Sequence, residues 1–257
     1  MTTPLRWKPT TLMYHGFSDG PRADDPYHLT VPVQNLRAQL QHLAGAGWQA
    51  LDLDGYLAAC QQRGLRKRSY LVTIDDALQS VADHGAPALA AAGVPSVLFA
   101  PPGLLGGATG WLELQPEEPI LSPDGLRALH DDGMEMGVHG WDHADMAGMD
   151  DAQLGRNTRL AREAVADVTG VLPRAFAYPF GSWDQRALRA VASAGYELAF
   201  AVYEDAGRHA ISRVDVKPAD SLTAFRVKLV PRYRLLWRTA GRAKPLRRLL
   251  RKTAQRA

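Results

Sequence analysis

The sequence predicts an α/β fold built on a mostly parallel sheet, wound either into a barrel or into a doubly wound layer. Short apolar runs alternate with stretches of helical periodicity at least six times along the chain. Alternation of that length feeds parallel strands through right-handed crossovers. The 257 residues suit a closed barrel, which commonly takes about 250 residues as one unit. No glycine fingerprint for dinucleotides and no phosphate-binding Gly-Lys-Ser/Thr loop follows any apolar run. That weakens the doubly wound nucleotide-binding alternative.

Each element has its own signal. Residues 11–14 (Thr-Leu-Met-Tyr) read as the first strand. Residues 33–46 carry Leu36, Leu40 and Leu43 at helical spacing and end at Gly45-Ala46-Gly47, the pattern of an amphipathic helix with a glycine stop. A second helix is expected over 53–60. Residues 70–74 (Tyr-Leu-Val-Thr-Ile) are apolar enough to be a strand buried on both faces. Residues 80–92 read as a helix with Pro87 as a kink, closed by Gly93, and 94–100 as a strand. Ser122-Pro123 opens a helix that runs to His130 and stops near Gly133. Strands follow at 134–138 and 175–178. Between them lies the longest amphipathic helix, 150–168, capped by Asp150 or Asp151. A helix over 184–194 and strands over 196–202 and 211–216 complete the body.

Composition bounds the function. The chain is 46% hydrophobic and 22% charged, so a sizeable core is available. The single cysteine, Cys60, excludes an internal disulfide framework and a Cys-rich zinc site. The net charge of +3 conceals an asymmetry. Residues 226–257 hold 12 Lys/Arg and no Asp/Glu, leaving 18 basic and 27 acidic residues, a net of −9, in residues 1–225. An acidic globular domain over 1–225 and a basic amphipathic tail over 226–257 are therefore expected. The uncharged stretch 85–112 is interrupted by Pro87, Pro95, Pro101 and Pro102, which suits a buried helix, strand and loop better than a membrane span. Residues 1–10 lack the apolar run of a secretory signal, and the expected location is the cytoplasm.

Three polar clusters stand at the ends of predicted strands: His15, Asp75-Asp76, and His139 with His143. In a parallel barrel that edge is where active sites form. Two histidines four residues apart can present imidazole nitrogens to one divalent ion. The helical metalloprotease motif is excluded, because Gly140 stands where its glutamate would be. Asp75 and Asp76 would face opposite sides of a regular strand, so both serve one site only if the chain leaves the strand there. The plainer reading of Asp76 is a helix N-cap before Ala77-Leu78-Gln79. One carboxylate and two histidines leave an open position on a metal, the mark of a catalytic site, and the second carboxylate is then free as a base.

These residues together resemble the polysaccharide deacetylases, the family-four carbohydrate esterases. Thr73-Ile74-Asp75-Asp76-Ala77 is similar to the family's Thr-Phe-Asp-Asp-Gly. Residues 135–143 are similar to its His-(Ser/Thr)-x-x-His motif, usually preceded by Glu-x-Gly-x, and Tyr178-Pro179-Phe180-Gly181 resembles its Pro-Tyr-Gly. The resemblance spans roughly residues 10 to 216. It implies a distorted (β/α)7 barrel, with Asp75 as catalytic base and Asp76, His139 and His143 as ligands of a divalent metal, zinc first. The Phe180 backbone N–H falls where the family stabilises the oxyanion. Leu12-Met13-Tyr14-His15 resembles the Tyr-His element of the exopolysaccharide and poly-N-acetylglucosamine deacetylase type, making His15 the general acid in place of a late Leu-x-His that the chain lacks. Ala77 and Gly140 depart from the family pattern, and its arginine before Pro-Tyr-Gly is missing; Arg213 is the candidate to supply positive charge beside Asp75. Glu135 and Asp142 are expected to orient the ligands, and Trp48 and Trp111 to pack in the core or its rim.

The implied activity is hydrolysis of the N-acetyl group of an amino sugar in a glycan or glycan precursor. An O-acetyl glycan esterase, or a catalytically silent glycan-binding protein of the same fold, is the alternative. Trp237 with Leu235, Leu236, Leu246, Leu249 and Leu250 among the cations of the tail fit an anionic membrane surface, with a helix packed on the acidic body as the competing reading. The location would then extend to the inner membrane face. Basic charge alone supports no nucleic-acid partner without a recognition motif.

Overall fold

The computed structural model describes residues 8–61, 68–113, 116–202, 205–230 and 233. The chain opens with β1 (Thr10–Tyr14), the short β2 (Gly16–Ser18) and β3 (Thr30–Pro32), then α1 (Val33–Gly45), β4 (Gln49–Ala50), α2 (Leu53–Gln61) and β5 (Ser69–Ile74). A π-helical turn, Val81–Gly85, runs into α3 (Ala86–Ala91), followed by β6 (Ser96–Ala100), α4 (Pro123–Asp131) and β7 (Glu135–Val138). α5 (Asp151–Gly155) and α6 (Ala161–Thr169) form one helical rod, joined through a π-helical turn at Arg156–Leu160. β8 (Ala175–Ala177), α7 (Gln185–Ser193), β9 (Leu198–Phe200), β10 (Val214–Asp215) and α8 (Leu222–Leu229) end the described body.

The main sheet is parallel, in the order β10-β1-β5-β6-β7-β8-β9, with β4 also paired to β5. Its two ends meet through one segment. Ile211 pairs with Phe200 beyond β9, and three residues later Val214 pairs with Leu12 of β1. The sheet thus curls into the expected distorted barrel, with residues 211–215 as its seam.

Period-two alternation sorts the side chains. Leu71, Val97, Phe99, Ala175, Ala177, Leu198, Phe200 and Ile211 pack together inside the barrel. Their neighbours Val72, Ile74, Leu98, Ala100, Val138 and Phe176 face the helices. Both faces of β5, β6, β8 and β9 are therefore dry, which is why these strands read as continuous apolar runs. α2 seals the N-terminal end, adding Leu53, Tyr56 and Cys60 to the interior. The Glu135 carboxylate accepts the Leu53 N–H at 2.9 Å. Glu135 therefore caps α2 at the closed end and does not orient the histidines at the other.

Local signals explain the helix starts. Ser122 Oγ accepts the Gly125 N–H, the Asp184 carboxylate accepts from Arg186 and Ala187, and Asp150 forms a reciprocal capping box with Gln153, each supplying partners for otherwise orphaned N–H groups. The β2–β3 pair lacks a sequence pattern of its own and is not among the expected elements, and the two π turns interrupt the continuous helices expected over 80–92 and 150–168. The last strands are also shorter than expected. The expected boundary at 225/226 falls within α8, where Phe225 and Leu229 are both buried; the tail beyond Val230 lies outside the described residues apart from Tyr233. Among the described residues no helix is long and apolar enough to cross a membrane.

Candidate active site

Alternation along the strands delivers the site to one rim. On β5 the inward series Leu71, Thr73 ends in Asp75. β1 is in register with β5 through Tyr14 and Ile74, and the Asp75 N–H donates to the Tyr14 carbonyl, so His15 comes level with Asp75. β7 ends at Val138, and the His139 N–H donates to the Ala100 carbonyl of β6.

A regular strand would turn Asp76 outward. Instead Asp76 adopts φ 73° and Ala77 φ 52°, and this left-handed step swings both carboxylates to the same side. Non-glycine residues seldom adopt positive φ, and such strain gathers at functional sites. His143 and Phe180 share the property, with φ 56° and 55°. The Asp76 turn is held by a neighbouring loop: the Leu121 N–H donates to the Ala77 carbonyl and the Gln79 N–H to the Pro119 carbonyl.

Asp76, His139 and His143 converge. Asp76 Oδ1 lies 3.3 Å from His139 Nε2 and 3.2 Å from His143 Nε2, and all three residues are buried. His139 Nδ1 is 2.8 Å from the Ala177 carbonyl. A carbonyl can only accept, so Nδ1 carries the hydrogen and a neutral His139 aims its Nε2 lone pair at Asp76. Asp76 Oδ1 and His143 Nδ1 are buried without a hydrogen-bond partner. Atoms that can each offer a lone pair toward one point in a dry site are a set that a cation would bring together. The 3.2–3.3 Å separations match the edge of a tetrahedron whose metal–ligand distances are about 2.0–2.1 Å. The donor set therefore fits a divalent metal.

Asp75 is held differently. Both of its oxygens accept from Arg213, at 2.7 Å each. The Arg213 side chain is fully buried and also donates to Thr73 Oγ1 and the Ala201 carbonyl. Burial alone would push the Asp75 carboxyl up, but Arg213 and then His139 hold it below the ordinary carboxylate range. Burial also opposes ionisation of Asp76, yet His143 and His139 hold it well below that range. Burial pulls both imidazoles down. At His139 the two aspartates outweigh it and the pKa rises; at His143 burial prevails and the pKa falls. Two adjacent carboxylates thus remain anionic in a dry site, each through a different partner.

Aromatic rings complete the rim. The Trp111 ring stacks on His143 at 4.1 Å between centroids and 16° between planes, and Phe180 meets His143 edge-on at 4.6 Å. Phe180 sits on the turn Pro179–Gly181, so its backbone lies beside the histidine pair. The structure thus brings together His15, Asp75, Asp76, His139, His143 and Phe180. It also answers what stands beside Asp75, namely Arg213. Trp111 packs against the core at the rim, as expected, and its stacking on His143 makes it a neighbour of the site as well; it arrives on the long loop between β6 and α4, and no local pattern marks that contact.

The chain belongs to the polysaccharide deacetylase family, whose model matches residues 62–199. Solved structures agree on the fold. A Streptococcus pyogenes deacetylase, PplD, solved with acetate, superposes with a TM-score of 0.75 at 19% identity, covering 89% of this chain and 100% of that one. IcaB from Ammonifex degensii gives 0.71 at 20% identity over 88% and 99% of the two chains. A de-N-acetylase from Aggregatibacter actinomycetemcomitans gives 0.70 at 14% identity over 86% and 99%. No curated protein matches the sequence.

Proposed function

We propose that this deacetylase is a metal-dependent hydrolase that removes the N-acetyl group of an amino sugar in a glycan or glycan precursor, giving acetate and a free amine. The convergence of Asp76, His139 and His143 beside a separately clamped Asp75 carries this reading. Asp76, His139 and His143 would hold the ion, with zinc favoured because two imidazoles and a carboxylate are a usual catalytic zinc set. Bound there, such an ion polarises a carbonyl and lowers the pKa of water.

Asp75 is the base: kept ionised by Arg213, it accepts the proton of the attacking water. The Phe180 backbone N–H helps to hold the oxyanion. His15, on the opposite side of Asp75 from β6, donates a proton to the departing nitrogen, so that water adds across the amide bond. Trp111 and Phe180 offer apolar faces of the kind that pack against sugar rings. A de-N-acetylase of the same fold is a precedent for amide cleavage on this scaffold. The reading also keeps the enzyme in the cytoplasm, with residues 226–257 drawing it to the anionic inner membrane face.

Purified protein should hold one divalent ion per chain, and the double variant His139→Ala/His143→Ala should hold none. Acetate release from N-acetylated but not O-acetylated sugar acceptors is the expected activity. Full metal occupancy in the double variant would refute the site, and exclusive release from O-acetylated acceptors would refute the substrate class.

A further inference from the structure

The histidine loop has no side-chain hydroxyl of its own to steady it, because Gly140 follows His139. Gly140 adopts φ 72°, and a Cβ there would lie 3.0 Å from Asn157 Oδ1 and 3.2 Å from Pro179 Cγ. The space that a side chain at 140 would use is thus taken by a carboxamide from another element. Asn157 Oδ1 accepts the Trp141 N–H at 2.8 Å. Its Nδ2 donates to the Gln153 carbonyl at 3.0 Å and contacts Met149 Sδ at 3.7 Å. The residue is 3% exposed.

Asn157 lies in the π-helical turn Arg156–Leu160 between α5 and α6. Such turns insert one residue into a helix and are frequent at functional sites. A polar amide is an expensive choice for a buried helix position unless its hydrogen bonds are made, and here they are, with the acceptor spent on the loop between the two histidines. The same loop is held from two further sides: the Gly103 N–H donates to the Trp141 carbonyl at 2.8 Å, and the Arg156 guanidinium lies over the Trp141 ring.

We infer that Asn157 is a positioning residue for the metal site: its Oδ1 fixes the backbone at Trp141 and thereby sets where His139 and His143 aim their imidazoles. The inference rests on the metal-binding reading of Asp76, His139 and His143. Outer-shell partners of metal ligands commonly contribute 10–100-fold in affinity, and Asn157 acts one step further out, through the loop backbone. Wild type, N157L and N157D are compared by zinc competition against a chelator, well below each protein's Tm. Leu shares the branching of Asn at Cγ and lacks the acceptor; Asp keeps an oxygen at the Oδ1 position. N157L should bind zinc about 10-fold more weakly or worse, and N157D should stay within a few-fold of wild type. N157A makes the same comparison if N157L does not fold. A folded N157L or N157A with wild-type zinc affinity would overturn the inference while leaving the metal site standing. N157D as impaired as N157L would overturn it too, since the acceptor would then not be what matters. Wild type that binds no zinc or other divalent ion would overturn the metal reading itself.

Discussion

At the residue scale, Asp75 and Asp76 are neighbours with different partners, and their substitutions should separate. Asp75→Asn should keep the metal and lose about 10²–10⁴ in kcat/KM, the usual contribution of a general base. It also strips Arg213 of its counter-charge. Breaking a buried pair can cost about 3–5 kcal/mol, so a lower Tm should accompany the loss. Asp76→Asn should instead weaken metal binding itself, read by metal content after dialysis; the opposite pattern would mean that base and ligand are exchanged. Ala77 poses a question of balance. Its positive φ costs about 1–2 kcal/mol in a residue with a Cβ. Its methyl is fully buried, worth about 0.8 kcal/mol, and glycine would add about 0.5–1 kcal/mol of backbone entropy. These terms nearly cancel, so Ala77→Gly should change stability by less than about 1 kcal/mol in urea unfolding. The departure from glycine is therefore tolerable.

At the element scale, the strands were legible because both faces are dry, and the ends of β5 and β7 were legible because each stops at ionisable residues. Asp75-Asp76 and His139…His143 are local patterns and could be read in one dimension. Arg213 could be named as a candidate but not placed, since it stands 138 residues from Asp75; Trp111 and Asn157 reach the site from a loop and a helix, and only the folded barrel brings them in. Glu135 shows the converse, since a residue within a site motif proves to serve the opposite end of its strand. Packing within the strands is also tight. A Cβ on Gly137 of β7 would come within 2.4 Å of the Phe99 ring. Gly137→Ala should therefore cost about 1–3 kcal/mol through overpacking, measured by denaturant unfolding. Phe99→Leu in the same chain should recover part of that cost; full additivity of the two losses would show that they do not meet.

At the scale of the whole molecule, the charge split between body and tail gives the membrane proposal its test. Because α8 buries Phe225 and Leu229, the body includes this helix, and a shortened chain should end after Val230 so as to retain it. That chain should fold and keep its metal. It should not pellet with anionic vesicles, whereas the full chain should, and added salt should release it, since each cation near such a surface contributes about 1 kcal/mol. Equal pelleting of both chains would end the membrane proposal.

The seam at residues 211–215 has a consequence for how the molecule comes into being. The segment that joins the two ends of the sheet is also the one that carries Arg213, and it is among the last parts of the body to leave the ribosome. Until it docks, Asp75 has no guanidinium to compensate its burial, and β1 lacks its second neighbour. A nascent or C-terminally broken chain should therefore leave the first strand's edge unpaired, open to wrong partners, with a base whose charge is unsupported. Such a fragment is expected to be inert and prone to aggregate, so that competence for chemistry and protection from misassembly arrive in the same closing step.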